Sequence, residues 1–524
     1  MHAIIRVVCG IGTLALAIAA HPGTASAMFT IMEIQGAGHS SPLDGQTVTT
    51  RGIVTVVTNN GFYMTDADGD QDTRTSDGIF VFTGSAPTVS SGDDVEVEGV
   101  VSELLPGNNA QNLTITQLVS PIINVLSSGN PVPLPFTLGR GGRRPPIRVI
   151  DNDNFGTFDP HQDGIDFYES LEGMQVTIAD AWSVWPTNRF GEIWVVPESV
   201  RRPSLNEQGG TTIRKLDFNP ERIQIDDSLF SGSNPQVDAG DFLGTITGVV
   251  SYSFGNFEVL PTEAPVVTPG SSEKETTTLE GSGSRLTAAT FNVQNLDPGD
   301  GDRFDDLAQI IVDNLKSPDI IGLQEVQDNS GPTNDGIVDA DQTFGLLIDA
   351  IVNAGGPAYE FREVPPENNQ DGGQPGGNIR VGFLFKPSRV EFLDKGNAGA
   401  NDATAFDQSS GGLTLSPGRI DPTNEAFDDS RKSLAGEFLF QGKTVFVIVS
   451  HFSSKSGSSP LFGSIQPPIN GSEDERLAQA QVVNDFVDSV LEFSKDANIV
   501  VLGDFNEFEF FRSLLVPQFT RKNA

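Results

Sequence analysis

The strongest constraint on the fold of this 524-residue chain is a change of hydrophobic period partway along it. Up to about Pro261, apolar residues come in short runs with a period of two, as in residues 47–58 (TVTTRGIVTVVT), 78–82 (GIFVF) and 94–101 (DVEVEGVV). Successive side chains of an extended backbone point to opposite faces, so these runs predict strands, and the Gly, Asn and Asp between them predict turns. The regime excludes a helical bundle there and predicts β-barrels or β-sandwiches. A basic Gly/Pro stretch, residues 139–148 (GRGGRRPPIR), separates two such β-rich blocks, and GTITGVVS in the second echoes TRGIVTVV in the first, a faint sign of a repeated unit.

Residues 266–284 (VVTPGSSEKETTTLEGSGS) carry no apolar period and read as a linker. Beyond it the pattern alternates. Residues 286–291, 320–323, 379–385, 445–450 and 498–502 read as strands, whereas 303–315, 342–353 and 473–493 show a helical apolar face. Apolar strands alternating with helices predict an α/β domain with sheets covered by helices.

The first 27 residues read as a cleaved export signal, with Arg6 ahead of an apolar stretch and small residues at Ala25-Ser26-Ala27. The only cysteine, Cys9, lies in that segment, so the mature chain is expected to be exported without a disulfide. No later run reaches membrane-spanning length. A formal net charge of -38 argues against a bulk electrostatic binder of nucleic acid, which needs clustered Lys and Arg. A metal site with a few local cations could still take a phosphodiester.

Polar residues end four of the apolar runs. They are Asn292 after LTAATF, Glu325 in IIGLQEV, His451 in FVIVSHF, and Asp504 with Asn506 in IVVLGDFN. Strand ends of α/β sheets aim side chains into a common cleft. Taken singly, each also reads as a turn, a solvated rim or a satisfied structural group; the ordered set is far more specific. Asp66, Asp68, Asp70 and Asp72 alternate in one loop, an arrangement that could face a calcium ion or be a solvated turn.

The series TFNVQNL, LQEV, SHFSSK and GDFN resembles the endonuclease/exonuclease/phosphatase superfamily, of deoxyribonuclease-I-like enzymes, over residue 285 to about residue 508. The N-terminal half is similar to the OB-fold-like region preceding this domain in bacterial extracellular nucleases. The matching pieces are MEIQGAGHSSPLDGQ, TSDGIFVF, DGIDFYESLEGM and PTNRFGEIWVV. The expected organisation is a signal peptide (1–27), a β-rich OB-fold-like domain (28–145), a second β-rich domain (146–265), the linker (266–284) and the endonuclease/exonuclease/phosphatase domain (285–524). The fold class is therefore multidomain: N-terminal all-β, as OB-like barrels or a sandwich, and a C-terminal α/β four-layer sandwich.

The resemblance implies a secreted or surface nuclease acting on DNA, and possibly RNA, with Mg²⁺ or Mn²⁺ and possibly Ca²⁺. Glu325 would be the principal metal ligand with Asn292 beside it. Asp504 would orient or deprotonate water, Asn506 would hydrogen-bond the phosphate, and His451 would stabilise the transition state. Arg380, Arg431 and Lys432 stand where phosphate contacts are expected, and Trp182, Trp185, Trp194 with Arg140, Arg143 and Arg144 could bind nucleic acid or fill a core. The family's closing Asp-His pair is expected beyond GDFN, yet the residues after Asn506 contain no His, so the chain is expected to be C-terminally incomplete and inactive as written. The alternatives are another phosphoesterase of the superfamily or a non-catalytic binding protein.

Overall fold

The computed structural model describes residues 28–511; the expected export signal and the chain's tail lie outside the described residues. A short helix, α1 (Ile31–Gln35), opens the described part, closed by a capping box between Thr30 and Glu33. It covers a closed five-stranded barrel of β1 (Thr47–Val57), β2 (Gly61–Thr65), β3 (Gly78–Phe82), β4 (Asp94–Leu104) and β5 (Ile115–Ser127), ordered β1-β2-β3-β5-β4. The period-two reading holds in detail. Val95, Val97 and Val101 of β4 point into the core with Phe62, Met64, Ile79 and Val81, while Glu96 and Glu98 face outward.

The next block contains β6 (Phe136–Leu138), α2 (Gly164–Glu169), β7 (Gln175–Ser183), β8 (Ile193–Pro197), α3 (Glu198–Ser204), β9 (Ile223–Ile225), β10 (Phe242–Ser253) and β11 (Asn256–Pro261). β10 pairs with β7 as well as with β11, which closes β7-β8-β9-β11-β10 into a second ring with β6 added on β7. This is the strand order of the first barrel, including its single parallel pair, β9 with β11 in place of β3 with β5. Each ring is preceded by a short helix. The longest helix before Pro261 has seven residues among those described.

Several carboxyls are buried in this second unit. Glu258 on β11 takes a hydrogen bond from the Ser253 hydroxyl at 2.8 Å, and burial pushes its pKa from 4.5 up to about 8. Glu169 and Glu172 are also held above the usual carboxylate range, by burial first and then by neighbouring carboxylates. A folded pKa above the unfolded one means stability is complete below about pH 4.5. It then falls as pH rises toward 8, because only the unfolded chain ionises freely. Melting curves from pH 5 to 9 should show this alkaline decline, and Glu258→Gln should flatten it by up to about 1.4 kcal/mol per pH unit. An unchanged pH profile would show that Glu258 is not the titrating group.

After residues 266–284, which among the described residues form no regular element, two sheets face each other. The first is ordered β12-β13-β15-β14 and consists of β12 (Ala288–Leu296), β13 (Ile320–Val326), β14 (Glu360–Glu363) and β15 (Arg380–Phe385). The second follows β17-β20-β21-β22-β23, with β16 (Glu391–Phe392) added on β21. Its other members are β17 (Ala403–Thr404), β20 (Gly418–Ile420), β21 (Leu434–Phe440), β22 (Lys443–His451) and β23 (Asn498–Asp504), while β18 (Phe406–Asp407) and β19 (Gly412–Leu413) form a separate hairpin.

Phe383, Phe385, Phe438, Val447, Val449 and Leu502 fill the space between the sheets. Outside the first sheet, α4 (Arg303–Gln309) and α5 (Asp341–Asn353) bury Phe304, Leu307, Phe344 and Leu347. Outside the second, α6 (Glu473–Phe493) buries Val483, Phe486, Val487 and Val490. Because β13, β15, β21 and β22 are covered on both faces, they read as continuous apolar runs rather than alternating ones. The protein is thus an all-β N-terminal part joined to an α/β four-layer sandwich.

Candidate active site

The parallel pairs β12/β13 and β22/β23 lie one in each sheet, and their C-terminal ends bring the predicted residues together. His451 and Asp504 are register partners at the last positions of β22 and β23. Glu325 sits at the end of β13, where the pairing to β15 shifts register and its own φ is +64°. A non-glycine residue in the left-handed region is uncommon and carries strain, and such strain is found where a side chain must be aimed. Asn506, two residues beyond β23, has φ +51°.

The Asn292 amide donates to Glu325 Oε1 at 2.9 Å and to Asp504 Oδ2 at 3.0 Å, so it bridges carboxylates from opposite sheets. Its own Oδ1 accepts from the Gln294 N–H. In this arrangement Asn292 positions the carboxylates rather than presenting its oxygen beside them. His451 Nε2 lies 3.6 Å from Glu325 and 3.9 Å from Asp504, too far for hydrogen bonds. Its buried Nδ1 has no partner. Burial, followed by the positive charge of Arg431 and opposed by Asp504, pushes the His451 pKa down to about 3, so the imidazole is neutral at neutral pH. The ligand atoms of Glu325, His451 and Asp504 lie within 4.8 Å of one another.

These groups edge a cleft of about 590 Å³ lined by Glu325, Arg431, His451, Ser454, Glu475 and Asn506 among others. Arg431 is its buried cation, donating to the Phe452 carbonyl at 2.8 Å while its Nε remains unpartnered. The Asn506 side chain donates to the same carbonyl at 3.0 Å, and the Asp504 carboxylate accepts the Asn506 backbone N–H at 2.9 Å.

Three expectations need correction. The Arg380 guanidinium is buried, donates to the Val338 and Asn378 carbonyls and pairs with Glu363, so it holds the core rather than facing the cleft. Lys432 is engaged by Asp371 at 2.8 Å. The carboxylates of residues 66–72 do not converge. Asp66 accepts the Asp68 and Gly69 N–H groups, Asp70 accepts the Asp72 N–H and the Thr75 hydroxyl, and Asp72 is bound by Arg74. For part of the Trp/Arg set the packing role fits: Arg201 stacks on Trp182, Arg222 on Trp194, and Arg143 lies against Phe136 and Phe167.

The sequence reading missed a second acidic group, Asp151, Asp153 and Asp163, whose oxygens lie within 4.8 Å of one another. Its signal was the run DNDNFG, with carboxylates alternating ahead of a glycine. It also missed the buried ion pair of Arg476 with Glu507, at 2.9 Å, which ties the start of α6 to the segment after Asn506.

The four-layer α/β sandwich, with carboxylates and a histidine converging at its strand ends, and the match of its residues to a family model together support a phosphoesterase- or nuclease-type hydrolase. Residues 289–522 match the model of the Endonuclease/Exonuclease/phosphatase family, and the C-terminal domain belongs to that superfamily, whose members are generally phosphodiesterases and nucleases and usually depend on divalent metals. Residues 137–271 match a Domain of unknown function (DUF8508). No curated protein matches the chain.

Among solved structures, D. rerio TDP2 humanized by 14 mutations is 19% identical over 45% of this chain and 72% of its own, with a TM-score of 0.27. The human Nocturnin catalytic domain is 15% identical over 44% of this chain and 68% of its own, with a TM-score of 0.27. An endonuclease/exonuclease/phosphatase family protein from Bacteroides thetaiotaomicron is 16% identical over 44% and 66%, with a TM-score of 0.26.

Proposed function

We propose that this protein is an exported, divalent-metal-dependent nuclease that hydrolyses phosphodiester bonds of DNA, with RNA as the related substrate. The observation that carries the reading is the convergence of Glu325 and Asp504 from two sheets, bridged by Asn292 and backed by His451. Among the described residues neither carboxylate is paired with a Lys or Arg. Two half-buried carboxylates with no Lys or Arg at ion-pair distance, with Arg431 as the nearby cation and a neutral imidazole beside them, fit a divalent ion, and the oxygen donors suit Mg²⁺ or Mn²⁺. Glu325 and Asp504 would hold it. When bound, such an ion neutralises phosphate charge and makes water a better nucleophile near neutral pH.

The chain's own residues supply the rest. Asp504, through the oxygen not engaged with the ion, orients the attacking water and accepts its proton, and the leaving oxygen takes a proton from solvent as its bond to phosphorus breaks. Arg431 lines the cleft and sets its buried positive charge beside the place a phosphate would take, where burial strengthens the attraction. The Asn506 amide has a second N–H for another phosphate oxygen. His451, being neutral, acts by hydrogen bonding rather than by charge.

The reading is tested on the full-length gene product with supercoiled DNA, bis(p-nitrophenyl) phosphate and p-nitrophenyl phosphate, each with Mg²⁺. Cleavage of the two diesters without the monoester is expected; preference for the monoester would sink the nuclease reading. Arg431→Ala should raise KM for the diester on the order of tenfold, the value of one charge-assisted hydrogen bond. An unchanged KM would remove Arg431 from substrate binding.

A further inference from the structure

The segment between β22 and α6 touches both halves of the molecule. At its base, Ser453, Ser454 and Ser456 line the cleft, and Lys455 Nζ donates to the Asn506 carbonyl at 2.7 Å. On the return, Asn470 donates to Glu507 at 3.1 Å, and Arg476 ties Glu507 to the Ser453, Ser454 and Gly471 carbonyls. Asn506 and the residue after it are therefore held by this one segment.

Its tip is not in the C-terminal domain at all. Phe462, 1% exposed, is buried in the core of the second barrel, edge-on to Tyr168 and Phe257 at ring distances of 6.1 and 5.9 Å. The Tyr252 hydroxyl donates to the Phe462 carbonyl at 2.8 Å and accepts the Leu113 N–H at 3.1 Å, so one oxygen joins the tip, the second barrel and the chain entering β5 of the first. Ser464 adds hydrogen bonds to the Gln111 and Ala110 carbonyls at 2.9 and 2.8 Å. Gly255, at φ +81°, lets Pro460 close in: a Cβ there would stand 2.3 Å from the proline ring. A buried aromatic with a satisfied carbonyl fixes a loop far more firmly than surface polar contacts do, because leaving the pocket exposes both the ring and the hydroxyl that bound it.

We propose that the β-rich half is a positioning element for the cleft, with Phe462 the positioning residue that acts through Lys455 on Asn506. This rests on the phosphodiesterase reading of the cleft. The barrels set the place of the 453–471 segment, and the segment sets the place of the Asn506 backbone. Without the anchor, the tip would be free and the base would be held only by its local contacts to α6 and β23, so the carbonyl held by Lys455 would be less firmly placed.

Two measurements on the full-length protein decide it. Hydrogen exchange of Phe462→Ala and of the volume-conserving Tyr252→Phe should quicken at residues 453–459 and 505–507, on the order of tenfold or more for Phe462→Ala, with β13 unchanged. Unchanged exchange there in both variants overturns the proposal, and if Phe462→Ala does not fold, Tyr252→Phe decides alone. In plasmid cleavage, Phe462→Ala and Lys455→Ala should each lower kcat/KM about tenfold, and the double variant should be no worse than either. A lost folded fraction would instead multiply with the lysine effect, so a roughly hundredfold loss in the double variant overturns the coupling. A wild-type protein that cleaves no diester, yet shows the exchange changes, would retire the nuclease reading and leave the positioning intact.

Discussion

Glu325→Gln in the full-length gene product is expected to lower kcat/KM for plasmid cleavage by at least about a hundredfold while leaving the melting temperature within a few degrees of wild type. The substitution keeps size and hydrogen-bonding capacity at the end of β13, so the core behind it, Ile320, Ile321 and Leu323, is undisturbed. What it removes is one of two carboxylate charges that lie together without a Lys or Arg partner. A divalent ion held mainly by carboxylates loses most of its attraction with one of them, and an electrostatic contribution in a partly dry cleft is commonly worth two or three orders of magnitude in rate. Full activity in this variant, at any metal concentration, would place the chemistry elsewhere. A large drop in melting temperature would show that Glu325 is structural.

The second large effect concerns the packing that brings the two sheets close enough for the site to exist. Gly322 lies on β13 where a Cβ would stand 2.2 Å from Leu502 Cδ1 and 2.7 Å from Val449 Cγ2 of the facing sheet. Leu502 could give a little, but Val449 is β-branched, stiff and fully buried. Gly322→Leu should therefore push β13 away from β22 and β23 and cost about 3 kcal/mol or more in urea unfolding of the C-terminal domain, with Gly322→Ala costing less. Because Glu325 is three residues further along the same strand, the leucine variant should also lose activity out of proportion to its unfolded fraction at low temperature. Wild-type stability in that variant would contradict the close sheet-to-sheet contact.

The residues of the site were legible because each stands at the end of a mostly apolar strand. A lone His after VFVIVS or Asp after IVVLG has few places to be except the strand's exposed end. Arg380 was misread for a different reason. It opens an antiparallel strand as the register partner of Val326, so it does stand at the same sheet edge as Glu325, but its side chain turns to the Val338 and Asn378 carbonyls and to Glu363, and pattern alone does not give that direction. The Asp66 to Asp72 loop shows another limit. Alternating carboxylates can face an ion or fold back onto their own backbone N–H groups, and the short Asp side chain does the second readily. The same ambiguity hid the Asp151, Asp153 and Asp163 group, which is less regular in sequence yet converges in space.

The repeated barrel was suspected for an accidental reason. The TRGIVTVV and GTITGVVS runs that echo each other belong to the first strand of one ring and the fourth of the other. The true correspondence is topological, β1 with β7 through β5 with β11, and strand order and pairing are not written in the residues of any one run. Phe462 was invisible as an anchor. The three apolar residues of GSSPLFGSIQPP carry no period, and the burial of Leu461 and Phe462 depends on a pocket made by residues some two hundred positions earlier.

The most direct test of the account is cleavage of supercoiled plasmid by the full-length gene product, stripped of metal and then titrated with Mg²⁺ or Mn²⁺, alongside Asp504→Asn. The account predicts no nicking by the stripped protein, restoration by either ion, and no restoration in the Asp504 variant. Nicking that persists in excess chelator, or that Asp504→Asn retains, would contradict a metal-assisted site at Glu325, His451 and Asp504.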